Sequence, residues 1–359
     1  MNSYLRMLLA AVSLLILTLV FFLTEKREEY LKEEVFWKVN PDKIIYHPPS
    51  KDFAEKFQDF SQVQLTIEKH NVSLKVPPIF TVTGIDPTSN TTFVYEGGYN
   101  VKNLFTELSV LRIKSIHIIE DELLKKMDLS LKDSPRIEMY KNDKLVKAIF
   151  MGNVKSNLRR IVADNYILTT LNHPFDKFRG SIAKFRERQV FHPGQYYIQK
   201  VFYKAESQNI HIENEPNEYK EPIGNVWYKY DGKKMKIDPL FGNEMLRILK
   251  SLNIALFPDE PDGQGFEIAK ILLDAQTNQE IEIFTSDGID YHLKFYPPVD
   301  ILNKRYIPCK RVIKNIFQES VVYVREEDLG KLFNSFNTIQ KAKEYVEPKH
   351  QKPKELQKK

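Results

Sequence analysis

The chain has little cysteine: Cys309 is the only one among 359 residues. A single thiol cannot form an intramolecular disulfide, so packing has to stabilise the folded chain. About 310 residues follow the N-terminal region, and two domains of about 150 residues each bury enough surface to fold without covalent links.

Motifs of familiar catalytic sites are also absent. The chain contains no G-x-x-x-x-G-K-[ST], G-x-G-x-x-G, H-E-x-x-H or G-x-S-x-G. These motifs form the phosphate loop, the dinucleotide site, the zinc-protease helix and the nucleophile elbow. The sequence therefore gives no support to an enzyme, and we expect no catalytic residue, cofactor or metal site.

Neither sign of charge dominates, since 53 basic and 48 acidic residues leave a net charge of +5. No basic stripe interleaved with stacking aromatic residues is present, which argues against a nucleic-acid partner. The basic excess lies in residues 338–359, where prolines interrupt any helix and lysines predominate. This composition predicts a disordered tail, with weak attraction to an anionic lipid surface as the functional alternative.

One long apolar run is present near the N-terminus. Residues 7–23 read MLLAAVSLLILTLVFFL, without charge, proline or glycine. This length is at the lower limit for crossing a hydrocarbon core of about 30 Å. Charged residues follow Leu23 directly, without the small-x-small site of a cleaved signal peptide. We therefore predict a short tail at 1–6, a transmembrane signal anchor at 7–23 in contact with the lipid bilayer, and a juxtamembrane linker at 24–40.

The rest of the chain repeats a pattern. An apolar helical stripe recurs 144 positions later, and so does a strand whose apolar residues begin at Ile137 and at Ile281. The first stripe contains Val101, Leu104, Phe105 and Leu108; the second contains Met245, Ile248, Leu249 and Leu252. A tandem duplication is the simplest cause.

Each repeat predicts the same order of elements. A first hairpin is expected with arms 63–67 and 72–76, and its counterpart runs from Trp227 to Ile237 through Asp231-Gly232. The amphipathic helix, a second hairpin, a short strand and a helical turn follow. Residues 77–98 are expected to form an inserted polar loop in the first copy. The joint at 184–191 is not rich in glycine, serine or proline, which predicts a packed interface.

The copies also share the polar phrase Asn-x-Arg-x-Ile, which places Arg159 and Arg305 at corresponding positions. Two such guanidinium groups are candidates for related anion sites, because arginine binds carboxylate or phosphate bidentately. The alternative interpretation, which we favour, is that each arginine pairs with a nearby carboxylate or carbonyl to fix its strand.

The sequence thus predicts an α+β protein: a tandem duplication of a mainly antiparallel sheet unit with helices on one face, behind one transmembrane helix. The units are predicted at 41–180 and 181–337.

The order of these features resembles a bacterial family. The anchor, hairpin, helix with FTEL at 105–108, paired strands with Gly152 and the phrase from Phe178 to Gln189 resemble the domain of unknown function 4340 family over residues 42–336. The resemblance implies an exported, membrane-tethered, non-catalytic protein, often associated with auxiliary components of gliding-motility-type ABC transporters. It brings no catalytic residues, and the insertion at 77–98 departs from it.

We therefore expect an accessory or interaction protein of the bacterial cell envelope, held in the inner membrane by a single span. The C-terminal domain is expected outside the cytoplasm, and this orientation depends partly on the resemblance, because lysine and arginine counts around the span do not favour it. ABC transporter membrane subunits are the expected partners. The alternatives are an envelope enzyme with a site in the cleft between the units and a structural envelope component.

Overall fold

The computed structural model describes residues 33–72, 77–85, 92–126, 129–155, 157–191, 197–215, 225–258 and 276–346. The predicted anchor at 7–23 lies outside these residues. Within them, no helix is long and apolar enough to cross a bilayer.

The described chain is sheet-rich α+β, with antiparallel strand pairing throughout its sheets. In the first half the strands are β1 (Glu34–Lys38), β2 (Lys43–His47), β3 (Gln64–His70), β4 (Ile79–Ile85), β5 (Thr92–Glu96), β6 (Val110–Ile113), β7 (Ser115–Ile118), β8 (Arg136–Lys141), β9 (Lys144–Lys155), β10 (Leu158–Ala163) and β11 (Tyr166–Leu171). The helices are α1 (Lys51–Ala54), α2 (Tyr99–Ser109), α3 (Asp121–Lys126) and α4 (His173–Asp176), with short 3-10 helices at Glu55–Phe57 and Ile182–Phe185.

The second half has strands β12 (Ile198–Ala205), β13 (Gln208–Glu215), β14 (Val226–Asp231), β15 (Lys233–Ile237), β16 (Gln279–Thr285), β17 (Asp290–Phe295), β18 (Val299–Ile301), β19 (Lys304–Ile313), β20 (Phe317–Gln318) and β21 (Val322–Arg325). Its helices are α5 (Pro239–Ser251) and α6 (Glu326–Lys341).

The two large sheets have corresponding strand orders. The first runs β5-β4-β3-β2-β8-β9-β10-β11-β7, and the second runs β15-β14-β13-β12-β16-β17-β19. β18 pairs with β19 on the same side as β17, and β21 pairs with β19 on the opposite side. In each sheet, four consecutive strands form a meander that leads into a helix. A second meander follows, and its first strand, β8 or β16, pairs with the first strand of the earlier meander, β2 or β12. A separate two-stranded sheet joins β1 to β6.

Apolar periodicity accounts for the helices that cover these sheets. The stripe on α2 is buried, and so is the corresponding stripe at the end of α5, as the sequence predicts. The predicted hairpins β8–β9, β14–β15 and β16–β17 also form. Gly232 and Gly288 have φ of +69° and +80° at the two turns where Asp-Gly pairs predict them.

The first predicted hairpin is wrong in its second arm. β3 pairs with β4 rather than with residues 72–76, and the stretch 77–98, expected to be a polar loop, contains β4 and β5. Thr81, Thr83 and Thr92 occupy strand positions, which suit β-branched residues. The outer edge of β5 is covered by the second half of the chain: the Val94 amide donates to Ser320 Oγ, and the Ser320 amide donates to Val94 O.

Both ends of the described chain are more ordered than predicted. The linker predicted at 24–40 contains β1, whose Trp37 is buried in the hydrophobic core of the first half. The helical turn expected after the last strand is the 16-residue helix α6, which extends into the predicted tail and buries Ile339. An apolar stripe of Leu329, Leu332, Phe336 and Ile339 explains the length of this helix.

The joint between the halves is packed. Phe185, Val190 and Phe191 are buried. The hydrophobic core of the second half also includes Phe93 and Tyr95 from β5 of the first sheet. Arg186 lies over the rings of Tyr95 and Phe257, with its guanidinium carbon 4.1 Å and 4.8 Å from the two ring centroids. The described halves therefore share apolar packing.

Candidate functional site

The two arginines of the repeated phrase lie at corresponding hairpin ends. Asn157 and Asn303 occupy the left-handed region, with φ of +61° and +60°, in the turns that precede β10 and β19. Asparagine tolerates this conformation better than most residues. Arg159 and Arg305 follow as the second residues of β10 and β19, so the local chain explains why the phrase recurs.

The side chain of Arg159 is enclosed, with 2% of its surface exposed. Nε donates to Asn172 Oδ1 at 2.6 Å, and Nη1 donates to the Gly152 carbonyl at 2.6 Å. Nη2 lies 3.9 Å from Asp176 Oδ1, and the guanidinium packs over Phe60. These contacts join β10 to β9 and to α4, and the structural role favoured from the sequence stays a prediction.

Burial also changes the titration of Arg159. Loss of solvent lowers the pKa of Arg159 to about 10, although the Asp176 carboxylate opposes this effect. The guanidinium nevertheless stays charged at neutral pH. Because the guanidinium already contacts Asn172, Gly152 and Asp176, it has little capacity to bind a ligand.

A depression of ≈370 Å³ lies beside Arg159 and is lined also by Lys56, Asp59 and Arg179. Arg179 forms an ion pair with Asp59 and lies 3.4 Å from Asp176. Two carboxylates thus accompany the cations at this end of the first sheet.

Arg305 is more accessible, since 58% of its side chain is exposed. Its Nε lies 3.4 Å from Glu326 Oε2 at the start of α6. A depression of ≈400 Å³ surrounds it, lined by Lys304, Arg305, Tyr306, Arg325, Glu326 and Glu327. Three cations facing two carboxylates can attract an anion weakly, and an anion site at Arg305 stays a prediction.

The arrangement around the two arginines is similar in one respect. Each faces a carboxylate on the helix that follows the last strand of its meander, Asp176 for Arg159 and Glu326 for Arg305. The structure does not bring the two arginines into one site, because they lie on different sheets.

A third arginine, which the sequence pattern does not single out, is the most deeply buried. Arg311 on β19 is 1% exposed and forms a two-pronged contact with Glu319, Nε to Oε2 and Nη2 to Oε1, both at 2.9 Å. Nη1 donates to the carbonyls of Gln189 and Val190 in the joint, and lies 2.8 Å from Glu96 Oε2 on β5. We call Arg311, Glu96 and Glu319 the junction triad.

The triad contains two carboxylates and one guanidinium. Burial raises the pKa of Glu96 to about 7, with Arg311 opposing and Glu319 adding to the rise. Burial alone would lower the pKa of Arg311, but Glu319 and Glu96 outweigh it and the pKa is raised. Glu96 Oε2 makes no aligned hydrogen bond within the described residues, since the Nη1 hydrogens point at the two carbonyls.

On the second sheet, aromatic rings of neighbouring strands stack around a depression of ≈290 Å³. His211 lies between Phe202 and Tyr230, with 4.2 Å between ring centroids on each side. Tyr230 donates a hydrogen bond to Glu213, and together with Lys200 and Lys234 it lowers the pKa of Glu213 to about 2. Burial lowers the pKa of His211, which favours a neutral imidazole. Cross-strand pairs of this kind stabilise a sheet surface.

Two features of the described side chains bear on metal binding and on thiol chemistry. In that part of the chain, no three His, Cys, Asp or Glu residues form a group that could hold a metal ion. Cys309 is fully buried, and burial raises the pKa of its thiol despite the charge of Arg311. A buried neutral thiol is a poor nucleophile.

The chain matches no protein-family model, no curated protein and no solved structure.

Proposed function

We propose that the protein is a membrane-tethered, non-catalytic accessory or interaction protein of the bacterial cell envelope, auxiliary to an ABC-type transport system. The observation that carries this proposal is the pair of sheets with corresponding strand order, which share apolar packing at the joint. An apolar segment of 17 residues precedes both sheets in the sequence. Two related surfaces on one tether suit a protein that engages a partner at two points, because the second contact benefits from effective concentration.

A tandem duplication forms part of the proposal, and corresponding core contacts support it. Tyr46 on β2 stacks on Phe178, with ring centroids 4.7 Å apart, and Tyr203 on β12 stacks on Phe336 at 4.4 Å. Tyr46 is paired with Ile137 on β8, and Tyr203 is paired with Ile281 on β16. Those two isoleucines are 144 positions apart in the sequence, which is the spacing of the repeated helical stripe.

The packing of the joint favours this function over an enzyme with a site between the units. Such an enzyme needs a concave pocket with converging titratable groups. At the joint, the Arg186 guanidinium lies over the rings of Tyr95 and Phe257, which contact each other edge to face. The carboxylates of the junction triad are paired with Arg311, so these titratable groups are engaged with one another.

We propose that the anchor at 7–23 holds the protein in the inner membrane, with the described residues outside the cytoplasm. Ten residues, 24–33, separate the segment from β1, which begins at Glu34. Ten extended residues reach at most about 36 Å. The folded part would therefore stay close to the bilayer, where a transporter's membrane subunits are accessible.

Crosslinking in native membranes tests the proposal. The full chain is crosslinked in membrane vesicles, captured and its partners identified. A variant that lacks residues 347–359, which lie beyond α6 and the described residues, serves as the control for nonspecific attraction by the lysine-rich tail. We expect transporter membrane subunits to be captured with both chains.

Two results would contradict this. Capture of the protein alone from membranes would favour a structural or enzymatic role. Recovery of the protein in the soluble fraction, without membranes, would refute the tether itself.

A further inference from the structure

The free end of the nine-stranded sheet exposes apolar side chains. β7 is the last strand of this sheet in the described residues, and it pairs on one side with β11. Ile116 and Ile118 are 48% and 73% exposed, and Tyr166, opposite Ile118, is 39% exposed. Residues opposite each other in an antiparallel pair share a face, so these three side chains form one surface, which we call the β7 patch.

The β7 patch lies beside the point at which the described chain begins. The rings of Tyr166 and Phe36 on β1 meet edge to face, with 6.2 Å between centroids. Val35, next to Phe36, is 42% exposed. The first strand after the predicted anchor therefore adjoins the patch.

The composition of the patch suits the surface of a bilayer. Isoleucine side chains partition into the acyl boundary, and aromatic residues such as tyrosine favour the headgroup level. The charge around the patch is mixed, since Arg112, opposite Val35, and Lys114 are basic and the acidic residues 120–122 follow β7. The apolar side chains rather than charge therefore carry the contact with lipid.

We propose that the β7 patch rests on the lipid surface of the membrane that holds the anchor, so that the tether and the patch together orient the two sheets. This inference depends on the proposed tether. Residues 24–33 form a short linker, which keeps the patch at a high effective concentration beside the lipid. A weak affinity for lipid is then enough to hold the patch in place. The second half of the chain contacts β5, at the end of the first sheet opposite to β7, and stays available to a partner.

Depth-dependent quenching tests this contact. The full chain carrying Ile118→Cys is labelled with an environment-sensitive fluorophore and reconstituted into vesicles of phosphatidylethanolamine and phosphatidylglycerol, with or without a doxyl-labelled lipid. Cys309 is buried and remains unlabelled in the native protein. The matched control is Leu240→Cys on α5, a position that is 71% exposed in the second half.

We expect doxyl lipid to quench most of the fluorescence at position 118 and little of that at position 240. Equal and weak quenching at both positions, in protein that floats with the vesicles, would overturn the inference while the tether stands. Failure of the protein to float would instead refute the tether. In native membranes, a photocrosslinker at position 118 that captures a protein strand, with no quenching by lipid, would assign the patch to a protein partner and overturn the lipid contact.

Discussion

Arg159 and Arg305 occupy corresponding turns but differ in their surroundings. Arg159 is enclosed by Asn172, Gly152 and Asp176, whereas Arg305 forms an ion pair with Glu326 and is mostly solvated. An exposed ion pair contributes at most about 1 kcal/mol, while removal of a buried charged donor leaves its acceptors without partners. The same phrase therefore has different consequences in the two units.

We predict that Arg159→Ala lowers the free energy of unfolding by about 3 kcal/mol, because a buried charge and its hydrogen bonds are lost. Arg305→Ala, the matched control, should change it by less than about 0.5 kcal/mol. Urea unfolding followed by circular dichroism measures both. Equal losses in the two variants would show that burial does not distinguish the arginines.

The repeated arginine phrase could be predicted from the sequence because its cause is local: a left-handed asparagine lies in the turn, and the arginine is the second residue of the strand that follows. Arg311 could not be found this way. Its partners Glu96 and Glu319 come from different halves of the chain, and no spacing in the sequence indicates that they meet. Locally, its position two residues after Cys309 suggests thiol chemistry rather than an ion pair.

At the scale of elements, the helices differ in how closely they approach the strands. Gly242 in α5 lies against Trp227 on β14, and a Cβ at position 242 would lie 2.2 Å from Trp227 Cδ2. Gly330 in α6 has no atom within 4 Å of the position its Cβ would take. Glycine at 242 is therefore required by packing, and glycine at 330 is not.

We predict that Gly242→Ala destabilises the protein by about 1–3 kcal/mol, the usual cost of overpacking a core. Gly330→Ala should stabilise it by about 0.5–1 kcal/mol, because alanine is the better helix former. Thermal unfolding of the two variants measures the difference. A stabilised Gly242→Ala protein would mean that α5 can move away from Trp227 without loss.

Most elements with strong apolar periodicity could be predicted, since α2, α5 and the hairpins bury one face each. β4 and β5 escaped prediction because the polar residues 86–91 between them led the whole stretch 77–98 to be interpreted as one loop. The edge of β5 is completed by Ser320, a contact across the whole molecule that local pattern cannot indicate. The length of α6 was underestimated although its apolar stripe was present, because only its first turns were recognised.

For the whole molecule, the junction triad links the two halves through a carboxyl group with an altered pKa. The pKa of Glu96 is about 7 in the folded chain, above the ordinary value of 4.5. Between these values the folded state binds more protons than the unfolded state, so the free energy of unfolding falls as pH rises. The contribution of Glu96 is complete below the ordinary value and is lost as pH rises through about 7.

We predict that Glu96→Gln reduces the fall in stability between about pH 5 and about pH 8, because the neutral amide takes the place of the protonated acid. Urea unfolding across this range measures the slope. Glu213→Gln is the control: the pKa of Glu213 is lowered to about 2 by Tyr230 and its lysines, so its contribution is lost only as pH falls through acid values. An unchanged slope in Glu96→Gln would refute the assignment of this titration to the triad.

The hydrogen bonds between Val94 and Ser320 join residues 226 positions apart. A ribosome adds about 5–20 residues per second, so roughly 10–45 s pass between the synthesis of the first of these residues and the second. Throughout that interval β5 presents an uncovered strand edge, the feature most prone to pair with other chains. We therefore expect the nascent first unit to be exposed to strand pairing with other chains while the second unit is still being made.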